Sequence, residues 1–232
     1  MGTRRRAPFR SSLALGCALA ALGALPRPAC AQDQAGLNTH VPSNDLLDLC
    51  VNLGVTWIRI DANWFEMNPA RGRYEWTEID RVVDGARSRG LRVFMTLAYT
   101  PAWVARVART RTDTATLNDE PAASAEWSAF VTEAVRRYRP RGVTHYGMWN
   151  EPNLDQFWES AAGVDPYVDK ILVPGATAVR AVCTDCTVLA PDLAHLGSYD
   201  TFLSRVLTRA ASSIDILAHH IYQGWPETGS TG

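Results

Sequence analysis

The run Trp149-Asn150-Glu151-Pro152 sets a carboxyl group beside an amide and an indole at the end of an apolar stretch. Other residues capable of chemistry close similar stretches. They are Arg59 and Asp61, with Asn63 and Trp64 after them; Tyr99, with Pro101 and Trp103 behind it; Asp192; and His219, His220 and Tyr222. A carboxylate, an amide and several indoles together suit sugar chemistry. Cleaving a glycosidic bond needs one carboxylic acid to protonate the leaving oxygen and a second carboxylate as nucleophile or base. An asparagine donor can hold a sugar 2-hydroxyl, and indole faces pack on the C–H face of a pyranose while carrying a donor at the rim. Apolar surroundings and a nearby negative carboxylate would keep Glu151 protonated near neutral pH. No His/Asp/Glu cluster has metal-ligand spacing and no Ser-centred nucleophile elbow is present, so neither a metal nor a cofactor is expected.

These residues fall at the ends of strands in a chain that alternates β-rich and amphipathic helical runs. The expected strands are Leu37–His40, Val55–Ile60, Leu91–Tyr99, Val143–Trp149, Thr187–Leu193 and Ile214–Tyr222. Between them, Ser43 is a plausible N-cap for a helix carrying Leu46, Leu47, Cys50 and Leu53, and Thr77 opens one carrying Ile79, Val82, Val83 and Ala86. Pro121 sits early in a helix with Trp127, Phe130, Val131, Ala134, Val135 and Tyr138. Asp165-Pro166 starts a helical stretch that Pro174-Gly175 kinks or splits, and Ser198 caps a helix to about Ala211. Strand alternating with helix predicts βαβ units and a parallel sheet, either doubly wound or a (β/α)8 TIM barrel. No G-x-G-x-x-G turn follows the first strand, which weighs against a dinucleotide-binding fold.

In such barrels the site lies at the C-terminal strand ends. Alternation puts His220 and Tyr222 on one face of the last strand and His219 on the other, so His219 reads as structural. Trp57, Trp76 and Trp127 lie inside elements and read as core, whereas Trp64, Trp103, Trp149, Trp158 and Trp225 lie near strand ends as candidates for sugar contact.

The 232 residues are 47% hydrophobic and 20% charged, an ordinary globular mixture that excludes global disorder. Residues 1–31 carry five arginines (Arg4, Arg5, Arg6, Arg10 and Arg27) and no acid. The rest of the chain has 18 basic and 24 acidic residues, a balance that argues against a nucleic-acid partner. The arginines precede the apolar run Leu13–Leu25 and the small-residue site Ala29-Cys30-Ala31, the layout of a secretory signal peptide cleaved after Ala31. That run is shorter than the roughly 20 residues a spanning helix needs. The expected organisation is a signal peptide over 1–31 and one domain over 32–232, exported to the periplasm or beyond, with no membrane span after cleavage. Cys183-x-x-Cys186 could close a small disulfide. The sequence does not speak to oligomeric state.

Trp149-Asn150-Glu151-Pro152 resembles the acid/base motif of the retaining (β/α)8 glycoside hydrolases of clan A. GVTWIRIDANW, RGRYEWTEID and GLRVFMTLAYTPAW, between Gly54 and Trp103, resemble the first half of family 39-like enzymes and their family 5 and 42 relatives. The likeness covers about residues 36–223. It implies a (β/α)8 barrel with about six of its eight units in this chain, and a carbohydrate substrate. It implies Glu151 as general acid/base, Asn150 binding the 2-hydroxyl and Arg59 holding the nucleophile ionised. Tyr222 would bond that nucleophile and His220 would line the site. The family nucleophile, a Glu ending strand seven, is expected beyond residue 232. Glu227 lies only five residues after Tyr222 and reads as a loop residue. The rival expectations are a sugar-binding pseudo-glycosidase, an inactive fragment, or a structural barrel domain of an envelope assembly.

Overall fold

In the computed structural model, residues 35–107, 118–159 and 163–221 are described. Six strands run in sequence order through one sheet: β1 (Gly36–His40), β2 (Trp57–Asn63), β3 (Arg92–Ala98), β4 (His145–Met148), β5 (Thr187–Ala194) and β6 (Ile216–His220). Every neighbouring pair is parallel. Helices return the chain between strands: α1 (Asn44–Asn52), the short α2 (Trp64–Met67), α3 (Thr77–Ser88), α4 (Ser124–Tyr138), α5 (Val164–Tyr167), α6 (Val173–Val182) and α7 (Tyr199–Ala210). The sheet curls into a half-barrel, six units of a (β/α)8 fold, and not the doubly wound alternative.

The sequence of β2 shows how the sheet divides its faces. Ile58, Ile60 and Ala62 are fully buried, while the alternate residues Trp57, Arg59, Asp61 and Asn63 are only partly so. A period of two sends the first set outward under the helices and the second to the concave face. Against the outward set pack Leu47 and Cys50 of α1, Val82, Val83 and Ala86 of α3, and Trp127, Phe130, Val131 and Val135 of α4, all fully buried. Those positions recur at helical spacing, which is why the runs form helices rather than strands. Ser43 caps α1 as expected, its hydroxyl accepting from the Leu46 amide at 3.3 Å.

Several boundaries differ from expectation. Strand β2 continues through Asn63, because its ladder with β3 extends to Ala98. Pro121 lies outside α4: it forms an antiparallel bridge with Ala105, and its carbonyl accepts from Lys170. The helical stretch that starts at Val164 is divided just before Pro174, as expected, and Pro174 lies in the first turn of α6, which begins at Val173. The preceding irregularity is a π segment, Val168–Leu172. Ser198 precedes α7 without giving a side-chain cap, and its carbonyl instead accepts from Phe202. Cys183 and Cys186 form a disulfide that joins the end of α6 to the run into β5. Among the described residues no helix is long and apolar enough to cross a membrane.

Helix α6 comes close to the sheet at Gly175. A Cβ there would stand 2.5 Å from Met148 Sδ and 2.8 Å from Trp127 Nε1. That indole is fixed by its bond to the Ile171 carbonyl at 2.8 Å. Alanine in a helix interior gains up to about 1 kcal/mol over glycine, whereas overpacking costs about 1–3 kcal/mol. We predict that Gly175→Ala is net destabilising, by about 1–2 kcal/mol in urea unfolding; a variant more stable than wild type would show that α6 can shift freely.

Candidate active site

Backbone conformation marks the C-terminal rim of the sheet. The described non-glycine residues with positive φ are His40 (55°), Tyr99 (72°), Trp149 (83°), Glu151 (44°) and Asp192 (56°); the first four lie at or just beyond the end of a strand, and Asp192 lies inside β5, two residues before its end. Such conformations are costly for residues with a Cβ and cluster where a site over-determines them. At Asp192 the ladder between β5 and β6 also shifts register, so an extra residue re-aims the side chain.

Arg59 connects the rim. From β2 it crosses the concave face over the Phe94 ring, 5.7 Å from its centroid. Its Nε donates to Thr96 Oγ1 at 2.9 Å. One terminal nitrogen donates to Asn150 Oδ1 and to Asp192 Oδ2, both at 2.8 Å. Gly147 makes room for this crossing: a Cβ there would meet the Phe94 ring at 2.9 Å and Thr96 Oγ1 at 3.3 Å. Glu151 is buried, only 4% exposed, and its amide donates to the Asp192 carbonyl at 2.9 Å. His220, on the inward face of β6, stands between the two acids. Its Nδ1 lies 2.6 Å from Glu151 Oε1 and its Nε2 lies 3.0 Å from Asp192 Oδ1. His219 points the other way, 3.2 Å from the Tyr199 hydroxyl.

A cavity of about 450 Å³ opens over this group, with Arg59, Asp61, Tyr99, Asn150, Glu151 and His220 in its wall. Asn38, His40, Phe157 and Ile221 complete it. Asp61 is paired with His40 at 2.7 Å. Burial, reinforced by the charge of Asp61, pushes the Tyr99 hydroxyl up to about 12, so it stays a neutral donor. The bond to Asp192 raises the His220 imidazole above its ordinary value, against the opposing effect of burial. A second cavity, of about 550 Å³, lies lower on the same concave face among Trp57, Phe94, His145 and Leu189. No carboxylate lines it, so acid–base chemistry belongs to the upper one.

The structure brings Arg59, Asn150, Glu151 and His220 together, and adds Asp192 as the group that links three of them. Tyr222, Trp225 and Glu227 lie outside the described residues. Two indoles expected at the mouth are instead core. Trp64 is fully buried, stacked on Phe130 and near Trp127, with its nitrogen bonded to Asn68. Trp149 is fully buried too: the chain turns at its positive φ, and the ring packs against Trp127 and Trp158 with its nitrogen on the Phe157 carbonyl. Trp158 is likewise buried. Trp103 is partly buried, donates to the Asn68 carbonyl at 2.8 Å, and lines neither cavity. Tyr99 and Phe157 provide the aromatic wall. Phe157 carries no sequence signal, because only the loop after Glu151 brings it there.

The side chains of Arg59 and Asp192 are 11% and 3% exposed. Removing one partner of a buried pair leaves the other charge uncompensated and costs about 3–5 kcal/mol. Arg59→Met should therefore lower unfolding stability by about 3 kcal/mol or more. Arg136→Met, which breaks an exposed pair with Glu133 on α4, should change it by about 0.5 kcal/mol at most. Equal effects in urea unfolding would show that the Arg59 pair is not a structural tie.

A search of curated proteins found no match. Among solved structures, the chain is similar to a monomeric beta-xylosidase from Caulobacter crescentus, at 22% identity and TM-score 0.63, over 86% of this chain and 45% of that one. It is similar to a family 39 enzyme from Xanthomonas axonopodis pv. citri, at 24% identity and TM-score 0.61, over 85% and 42%. It is also similar to a family 30 xylanase from Clostridium acetobutylicum, at 21% identity and TM-score 0.59, over 83% and 51%. The chain thus spans about half the length of these structures, which share its fold. A model of glycosyl hydrolases family 39 matches residues 47–230, from α1 to beyond β6, and with the half-barrel and its strand-end carboxylate this shows that the chain belongs to glycosyl hydrolase family 39.

Proposed function

We propose that this protein is an exported retaining glycosidase that hydrolyses O-glycosidic bonds of a poly- or oligosaccharide, with Glu151 as general acid/base. The observation that carries this reading is the setting of Glu151: a buried carboxyl at the wall of the strand-end cavity, 2.6 Å from the imidazole of His220. Its neighbour Asn150 has its oxygen taken by Arg59, which turns the amide NH2 toward other partners as a donor for a sugar hydroxyl. In the first step Glu151 gives its proton to the glycosidic oxygen as the anomeric carbon leaves that oxygen and forms an ester bond to a second, nucleophilic carboxylate. In the second it takes a proton from the water that releases the sugar. His220 and Arg59 line the site around it. Tyr222 is proposed to bond the nucleophile, with export resting on the arginine-led apolar segment at the start of the chain.

A second reading follows from a specific observation: both described aspartates at the cavity are committed, Asp61 to His40 and Asp192 to Arg59 and His220. If no other carboxylate acts as nucleophile, the site would bind sugar without cleaving it. One comparison separates the two. Initial rates are measured with a panel of 4-nitrophenyl glycosides and with unactivated oligosaccharides, for wild type and Glu151→Gln. General acid catalysis contributes about 10²–10⁴-fold. The variant should therefore lose about 10²-fold or more on oligosaccharides, whose leaving groups are poor, and much less on nitrophenyl glycosides. Equal losses on both classes, or none, would remove Glu151 from the acid role. Calorimetric binding of an oligosaccharide with no product would favour the binding reading.

A further inference from the structure

We propose that Asp192 is a positioning residue for the acid/base: through the imidazole of His220 it sets the tautomer and the proton affinity of the Glu151–His220 pair. This deepens the reading of Glu151 given above and rests on it.

The geometry is a carboxylate–imidazole–carboxylate line. Glu151 Oε1 stands 2.6 Å from Nδ1 of His220, and Asp192 Oδ1 stands 3.0 Å from Nε2. Each ring nitrogen thus faces one acid. The two acids differ in their other contacts. Asp192, 3% exposed in its side chain, also accepts from the Arg59 guanidinium at 2.8 Å. Glu151 borders the cavity. A carboxylate 3.0 Å away on the Nε2 side favours a proton on Nε2, and the second nitrogen then shares a single proton with Glu151. In one form a protonated Glu151 donates to Nδ1 of a neutral ring. In the other, a Glu151 carboxylate accepts from an imidazolium. Passing between them moves one proton along the 2.6 Å line and breaks no other bond.

Among the described residues, the other charged and titratable groups facing His220 come from the neighbouring strands. Arg59 on β2 opposes protonation of the ring, while Asp192 and Glu151 favour it, Asp192 most. Asp61 of β2 and Tyr99 after β3 also face the cavity, Tyr99 as a neutral hydroxyl and Asp61 tied to His40. His195 donates its backbone amide to the His220 carbonyl at 3.0 Å, holding β6 in place without touching the ring through that bond. The backbone bond from the Glu151 amide to the Asp192 carbonyl fixes the spacing of the acids independently of any proton.

The test is nitrogen-15 and carbon-13 NMR of histidine-labelled protein across about pH 4 to 9, a range chosen to span about 2.5 units on either side of the ordinary histidine value. His220→Gln identifies the His220 signals by their loss. In wild type, the titration midpoint is expected above the ordinary histidine value of about 6.5, with the Nε2–H tautomer on the alkaline side. Asp192→Asn removes a charge in direct contact and should move that midpoint down by about one pH unit or more. The alkaline limb of the pH–activity profile should move to lower pH with it, because the pair then holds its proton less tightly. A wild-type Nδ1–H tautomer, or an unchanged midpoint in Asp192→Asn, would overturn the proposal. Should that variant not fold, the wild-type tautomer alone decides. If Glu151→Gln shows no acid role in hydrolysis, the acid/base reading fails, while the tautomer and midpoint still report separately on Asp192.

Discussion

The rim of this half-barrel hangs on one ion pair. Arg59 and Asp192 come from β2 and β5, with two strands between them, and their contact at 2.8 Å spans that gap. The same guanidinium carries Thr96 of β3 and Asn150 beyond β4. Three consecutive strands, β3 to β5, therefore each carry one side chain to a single cation from β2. Desolvating these charges is expensive unless each lone pair and proton is used. Arg59 has three acceptors, and Asp192 has Arg59 on one oxygen and His220 on the other. The positive-φ backbone at Glu151 and Asp192 is a strain that such a network can hold.

Much of this was legible in the sequence, for reasons that can be assigned to residues. The alternation Trp57-Ile58-Arg59-Ile60-Asp61-Ala62 puts two charged groups on one face of a strand whose other face is apolar, and no helix satisfies that pattern. The apolar positions of α3 and α4 recur at helical spacing and are found buried, as are Leu47 and Cys50 of α1, whereas Leu53, expected on the same face, is 62% exposed because it lies past the helix end. Asn150 and Glu151 follow a strand closely enough to be carried to its end. Alternation on β6 separated His220 from His219, and the two rings meet different partners.

What the sequence withheld depends on local backbone events. Asp192 stood out only weakly, because its aim comes from a register shift in β5 that no residue type announces. Trp64 and Trp149 occupy strand-end positions, from which an outward-facing indole is the natural expectation. The chain instead enters α2 at Trp64 and takes a positive φ at Trp149, and both rings turn into the core. His40 and Phe157 reach the cavity by tertiary placement alone. One proline signal was displaced: Pro121, expected early in a helix, lies before α4 in a bridge with Ala105, while Pro174 marks the division of its helical stretch.

The buried indoles have an optical consequence. Trp64, Trp127, Trp149 and Trp158 form a chain of ring contacts, with centroids 5.1–6.0 Å apart at the successive steps through Trp127 and Trp149. All four are shut off from water, whereas Trp57, Trp76 and Trp103 are partly exposed. Emission from this protein thus comes from two populations, one in a dry and polarisable medium and one within reach of a dissolved quencher. The dry set reports on the ring of helices beneath the site, and its excited states are close enough to exchange energy. Light absorbed at any one of these four indoles is shared along a path that runs from α2, through α4, to the residue next to Asn150.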